Sequence, residues 1–264
     1  MNSLLFFSKG MLYNSPQSHI PFILKPASDM VKEAVWSLNA TRGGIETYPM
    51  CGYLLHSLFL KLTGAQEQKL KCICWEMACR DYEYRYERFE LNRYSECSSY
   101  KDKCMVYNDL LDEIRKQGDF EIEDAFKDDI LAEWRTTTQQ LFDNSLMATC
   151  FKKQYLDYQT VMASVTRRWI MDGTQLLTKK DQLSAAERVN TCGMGLNELF
   201  VKYVYAERNR CAHNTRSYQH NLPSLKAMMA DDYKLQNYFL FMSVMLLLDM
   251  IYVKLFDVYL TSIV

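Results

Sequence analysis

Glycine and proline are scarce. The chain of 264 residues has nine of the first and five of the second, and no proline stands between Pro49 and Pro223. Average usage is roughly 7% and 5%. Sandwiches and barrels need turn residues every 8–12 positions or so, so their scarcity excludes an all-β fold. With 48% hydrophobic residues the chain is also too apolar for a disordered or collagenous polymer. What remains is an all-α, multi-helix bundle, long enough for one large domain or two small ones.

Other absences narrow the function. Net charge is −1, so there is no global basic footprint for nucleic acid. The nine cysteines are scattered without a C-x-x-C pair, and no Cys/His spacing suits zinc. Free thiols in a reducing cytoplasm are the expectation. The apolar stretch Leu4–Phe7 has no basic residue before it and is too short for a secretory leader. Between Lys234 and Asp249 lie 14 uncharged residues, whereas a spanning helix needs about 20. That segment reads as a buried central helix rather than a membrane anchor.

Charge is unevenly spread. Residues 76–150 hold 18 acidic against 10 basic side chains, a balance of −8; residues 151–226 hold 12 basic against 6 acidic, a balance of +6. The second region can steer a polyanion, or can simply present solvated helix faces.

Three regions are expected: an irregular arm over 1–27, a regulatory or partner-binding helical region over 28–139, and a helical core over 140–264 with the motif, the last two either separate or one continuous domain. Ser28 or Asp29 caps a helix running to about Ala40. A helix from Tyr48-Pro49 ends at Gly64, and a long one spans about Gln66–Leu91. The next covers about Tyr100–Gln117, with Gly118 as a left-handed stop. Asp119 opens a segment in which Phe126, Ile130, Trp134, Leu141 and Phe142 recur at helical spacing. A helix over about Gln154–Met171 stops at Gly173, and Ser184 with Glu187 matches a capping box. Leu196, Leu199, Phe200 and Tyr203 begin a new apolar stripe, and Asp231 or Asp232 caps the last helix.

The stripe leads into Glu207-Arg208-Asn209-Arg210-Cys211-Ala212-His213. Within it stands Arg208-Asn209-x-x-x-His213, a pattern expected by chance about 0.01 times from 13 Arg, 12 Asn and 4 His. At about 100° per residue, Asn209 and His213 share a helix face, whereas Arg208 and His213 lie about 140° apart. Either Arg208 reaches round or the helix distorts. A purely structural alternative also fits: a helix C-terminus whose basic side chains meet the last carbonyls.

This resembles the R-N-x3-H signature of the HEPN superfamily, small helical bundles that include metal-independent RNases of toxin–antitoxin, phage-defence and CRISPR systems. The resemblance covers the motif and its flanking helices, about the last 125 residues. It implies Arg208, Asn209 and His213 as catalytic residues, no metal and no cofactor. It also implies RNA as substrate and a homodimer in which two motifs form one composite site. An antitoxin or defence-system partner protein belongs to the same expectation, as do a cytoplasmic location and no membrane. In such a site the substrate's 2′-hydroxyl attacks the phosphate. His213 serves as general base or acid, Arg208 meets the developing charge, and Asn209 orients His213 or a phosphate oxygen. Arg210 either binds substrate phosphate or pairs with Glu207. The alternative function is a catalytically silent HEPN-like module for dimerisation or protein binding.

Two other features are set beside the motif. Tyr82, Tyr86 and Phe89 are spaced as a packed helix face, although their mixture with arginines also suits base stacking. The acidic run near Glu121 and Asp128-Asp129 lacks the alternating ligands and turn glycine of a hard-cation loop, and reads as a solvated helix start.

Overall fold

The computed structural model describes residues 18–41, 44–91, 96–165, 167, 176–177, 195–213 and 225–263, without the side chains of His213 and Ala227. The expected stop at Gly173 and the capping box at Ser184–Glu187 lie outside them. The protein is all-α, and the described residues contain no strand.

The helices are α1 (Ile20–Leu24), α2 (Ser28–Asn39), α3 (Thr47–Ala78), α4 (Tyr82–Arg85), α5 (Tyr100–Gln117) and α6 (Asp124–Phe142). They continue with α7 (Leu146–Cys150), α8 (Lys152–Ser164), α9 (Leu196–Leu199), α10 (Ala206–His213), α11 (Leu225–Met228) and α12 (Tyr238–Ser262). Tyr86–Glu90 and Phe200–Tyr205 are π-helical, and Asp231–Leu235 forms a 3₁₀ turn.

They form two compact units, each discontinuous in sequence. One comprises Met1–Pro26, Ala65–Glu121 and Asp249–Val264; the other comprises Ala27–Gly64 and Ile122–Leu248. The division does not follow chain order, because residues 28–139 contribute to both units. Helix α1 falls within the segment expected to be an irregular arm.

Several boundaries differ from expectation for local reasons. Gly64 does not end a helix; α3 runs through it to Ala78. A helical glycine costs only about 1 kcal/mol, and buried Leu58, Phe59, Leu62, Leu70 and Ile73 on either side outweigh that. Helix α3 ends instead before Asp81, whose side chain accepts from the Tyr84 amide at 2.9 Å and starts α4. The restart sets a different buried face, formed by Tyr84 and Arg88, while Tyr82 and Tyr86 are exposed. Phe89 meets Trp75 edge-on. The packed Tyr82/Tyr86/Phe89 face is therefore corrected.

Gly118 is extended (φ 171°), not left-handed, while Ser99 and Asp102 form a capping box at the start of α5. Asp119 does not open a helix, since α6 begins at Asp124. Asp128, like Asp124, pairs with Arg167. Neither Asp231 nor Asp232 caps α12. Asn237 does so, its Oδ1 accepting from the Phe239 amide at 3.0 Å while its Nδ2 donates to the Gln154 carbonyl. Ser28 lies inside α2, whose N-cap is Ala27.

In the first unit, Ile251, Tyr252, Leu255 and Phe256 of α12 are fully buried, as are Val106 and Leu110 of α5. The Tyr252 hydroxyl donates to the Lys103 carbonyl at 2.6 Å. Lys69 Nζ donates to Asp249 Oδ1 at 2.5 Å and to the Lys25 carbonyl at 2.7 Å. In the second unit, buried Trp134 donates its indole N–H to the Ser243 carbonyl at 2.7 Å. The Ser243 hydroxyl in turn donates to the Tyr158 hydroxyl at 2.9 Å. Phe142, Tyr155, Tyr158 and Phe239 form an aromatic cluster around them.

Among the described residues, Tyr238–Ser262 is the one helix long and apolar enough to cross a membrane, and 83% of its apolar window is buried inside the protein. Such burial is what a core helix requires.

Candidate active site

The motif stands at the end of a helix that changes character along its length. Leu196, Leu199, Phe200 and Tyr203 are all buried, as their spacing predicts. Over Phe200–Tyr205 the backbone widens into a π-helix, a device frequent at functional sites. The Tyr203 hydroxyl donates to Asp232 Oδ2 at 2.5 Å, and Lys202 Nζ reaches the same oxygen at 3.3 Å. Both bonds tie the π segment to the 3₁₀ turn. Regular α-helix resumes at Ala206 and continues to His213. The distortion therefore precedes the motif and does not enter it.

At positions i, i+3 and i+4 of α10 stand Glu207, Arg210 and Cys211, which share one face. Arg210 grips Glu207 with two nitrogens, Nε to Oε2 at 2.7 Å and Nη2 to Oε1. Glu207 Oε1 also accepts from the Tyr238 hydroxyl and, at 3.3 Å, from Cys211 Sγ. Burial alone would raise the Glu207 carboxyl, but the bonds from Arg210, Tyr238 and Cys211 outweigh it and hold the group below its usual 4.5. Burial, together with the Glu207 charge, pushes the Tyr238 hydroxyl well up, so it stays protonated and donates. The Glu207 bonds likewise raise Arg210.

Tyr238 is itself held by α3. The ring of His56 packs on it at 4.8 Å between centroids, and Phe59 meets it edge-on at 5.7 Å. Partial burial lowers the His56 imidazole from its usual 6.5; Arg210 adds to this and Glu207 opposes it. His56 is thus held toward its neutral form.

Arg208 and Asn209 follow Glu207 at about 100° and 200° around the helix, off the anchored face. Both are half-buried. Arg208 Nη1 donates to Asn209 Oδ1 at 3.1 Å. Two of the three motif residues are therefore joined directly on a regular helix. His213 is the last residue of α10; its side chain lies outside the described residues. Arg210, the candidate phosphate ligand, is paired with Glu207 three positions before it on the same helix.

The sequence pattern points to no role for Cys211 and to no link between the motif and Tyr238 or His56. The i, i+3 spacing of Glu207 and Arg210 was a legible signal, but nothing local points to Tyr238, 31 residues from Glu207. Clefts of about 280 and 260 Å³ open between α2 and α6 and between α6 and α8; neither is lined by Arg208, Asn209 or Arg210. Among the described residues no group of three His, Cys, Asp or Glu side chains is placed to hold a metal. No protein-family model, curated protein or solved structure matches the chain.

Proposed function

We propose that the protein is a metal-independent endoribonuclease of the HEPN type, working as a homodimer with a composite site. The observation that carries the reading is the Arg208–Asn209 bond on α10. It fixes a guanidinium on a face that the Glu207–Arg210–Tyr238 anchor does not use. A guanidinium so held suits a phosphate, to which it gives charge-assisted hydrogen bonds as negative charge builds.

In the proposed reaction His213 takes the proton of a ribose 2′-hydroxyl, and the resulting oxygen attacks the adjacent phosphorus. The 5′-oxygen leaves with a proton supplied by the second His213 of the dimer. The products are a 2′,3′-cyclic phosphate and a 5′-hydroxyl end. The nucleophile belongs to the substrate, so DNA resists. A role in phage defence or as the toxin of a toxin–antitoxin pair belongs to the same proposal, on the strength of the motif.

The test is cleavage of end-labelled single-stranded RNA in excess EDTA, beside His213→Ala. The expected result is cleavage by the unaltered protein, cyclic-phosphate ends, and no cleavage by the variant. Equal cleavage by both, or cleavage abolished by EDTA, overturns the reading.

A further inference from the structure

The chain carries a thiol pair that neither its spacing nor the proposed reaction calls for. Cys51, in the second turn of α3, and Cys150, the last residue of α7, are 99 positions apart. Their sulfurs nevertheless stand 3.2 Å from one another, Cys51 Sγ donating to Cys150 Sγ. Both belong to the second unit. The elements that carry them are closely seated. Tyr48 packs on Phe151 at 4.9 Å between ring centroids, and a Cβ at Gly52 would lie 3.7 Å from the Phe151 ring. Cys51 is fully buried and Cys150 is partly exposed.

We infer that Cys51 and Cys150 form an oxidative modification site that a small-molecule disulfide of the glutathione type converts into an intramolecular disulfide. The sulfurs need close by only about 1 Å to reach bonding distance near 2.05 Å. The roles follow from access and from the direction of the bond between them. Cys150 is reachable from solvent and accepts the hydrogen bond from Cys51, so it is the sulfur an external disulfide meets first. Burial, then the bond to Cys150, pushes the Cys51 thiol up to about 12, so Cys51 keeps its proton until the second step.

First, the Cys150 thiolate attacks one sulfur of the oxidant. A Cys150–glutathione bond forms, the oxidant's S–S bond breaks, and one thiolate leaves. Second, Cys51 attacks Cys150 Sγ, giving its proton to the departing glutathione sulfur. Two protein thiols lose two electrons, and one small disulfide becomes two thiols.

The full chain tests this directly. It is equilibrated in glutathione buffers of rising oxidised fraction, blocked with N-ethylmaleimide, digested with trypsin and mapped by mass spectrometry. Tryptic peptides 43–61 and 136–152 each contain a single cysteine, so the cross-link is unambiguous. Labelling of Cys51 and Cys150 should be lost together as one linked peptide appears. The Cys51→Ser variant should instead accumulate glutathione on Cys150, because the second step is removed. Wild-type protein in which both thiols stay open to labelling, or in which either joins a different cysteine instead, overturns the proposal. So does a Cys51→Ser protein that takes up no glutathione at Cys150.

Discussion

The hydroxyl of Tyr238, first residue of the last helix, donates to Oε1 of Glu207, second residue of the helix that carries the motif. One carboxylate thereby receives bonds from Tyr238, Arg210 and Cys211, and α10 is held from a side that Arg208 and Asn209 do not occupy.

Removing that hydroxyl should loosen the anchor without emptying its place. Tyr238→Phe keeps the ring that packs against His56 and Phe59 and deletes one bond to a largely buried carboxylate. Such bonds contribute about 1.5–3 kcal/mol. The urea midpoint should fall by a corresponding amount with an unchanged slope. A midpoint equal to that of the unaltered protein would show the bond to be energetically idle.

Glu207 also predicts an acid response. Its folded value lies below the usual 4.5, so the folded state binds fewer protons than the unfolded one between those two values, and stability rises with pH across that interval. The contribution is complete above 4.5 and disappears as pH falls through the folded value. The stability gap between wild type and Glu207→Gln should therefore be widest near neutrality and narrow below about pH 4.5. Urea titrations at successive pH values measure it, and a gap that widens on acidification contradicts the assignment.

His56 titrates in a different range. Partial burial holds its imidazole below 6.5, so its protonation in the folded state costs stability as pH drops below that value. The NMR shift of the His56 ring should move with a midpoint under 6.5 in the intact protein. In Tyr238→Ala, which strips away the covering ring, the midpoint should move back toward 6.5. A midpoint above 6.5 in the intact protein would mean that the Glu207 charge outweighs burial there.

Lys69 and Asp249 form a pair with only 5% of each side chain exposed. Breaking such a pair from one side leaves an uncompensated buried charge and costs about 3–5 kcal/mol. Asp249→Leu alone should lower the melting temperature severely. Lys69→Met with Asp249→Leu should recover much of the loss, because two apolar groups replace two charges. Equal loss in the single and double variants would place the cost in packing and not in charge.

Arg208 is the sharpest test of the proposed chemistry. Arg208→Ala should cut RNA cleavage by about 10²–10³, as expected when a donor to developing charge is lost, and change stability by no more than about 1 kcal/mol. Arg208→Lys keeps the charge but not the fork, and should also be impaired. Cleavage rates read beside thermal melts separate a lost contact from a lost fold.

Much of the helical framework could be read from periodicity. Trp134, Phe142, Leu199 and Tyr203 are buried where a 3.6-residue repeat puts them, because burying an apolar stripe is what stabilises most helices. Helix ends were less legible. Gly64 is a weak breaker against the flanking apolar contacts, and Asn237, not the acidic pair before it, caps α12. The exposed positions of Tyr82 and Tyr86 follow a helix restart at Asp81 that periodicity alone does not announce. In the site, Glu207 with Arg210 follows from neighbours on one helix. Tyr238 reaches that carboxylate, and His56 the Tyr238 ring, only through tertiary packing, for which neither residue carries a local signal.

The discontinuous unit made of Met1–Pro26, Ala65–Glu121 and Asp249–Val264 has a consequence for biosynthesis. Its middle segment leaves the ribosome long before its closing one, with all of Ile122–Leu248 still to be translated. Through that interval the apolar faces of α5 and the latter part of α3 await α12, without which their core cannot close. They are the apolar surfaces that the nascent chain leaves open until its last segment is made.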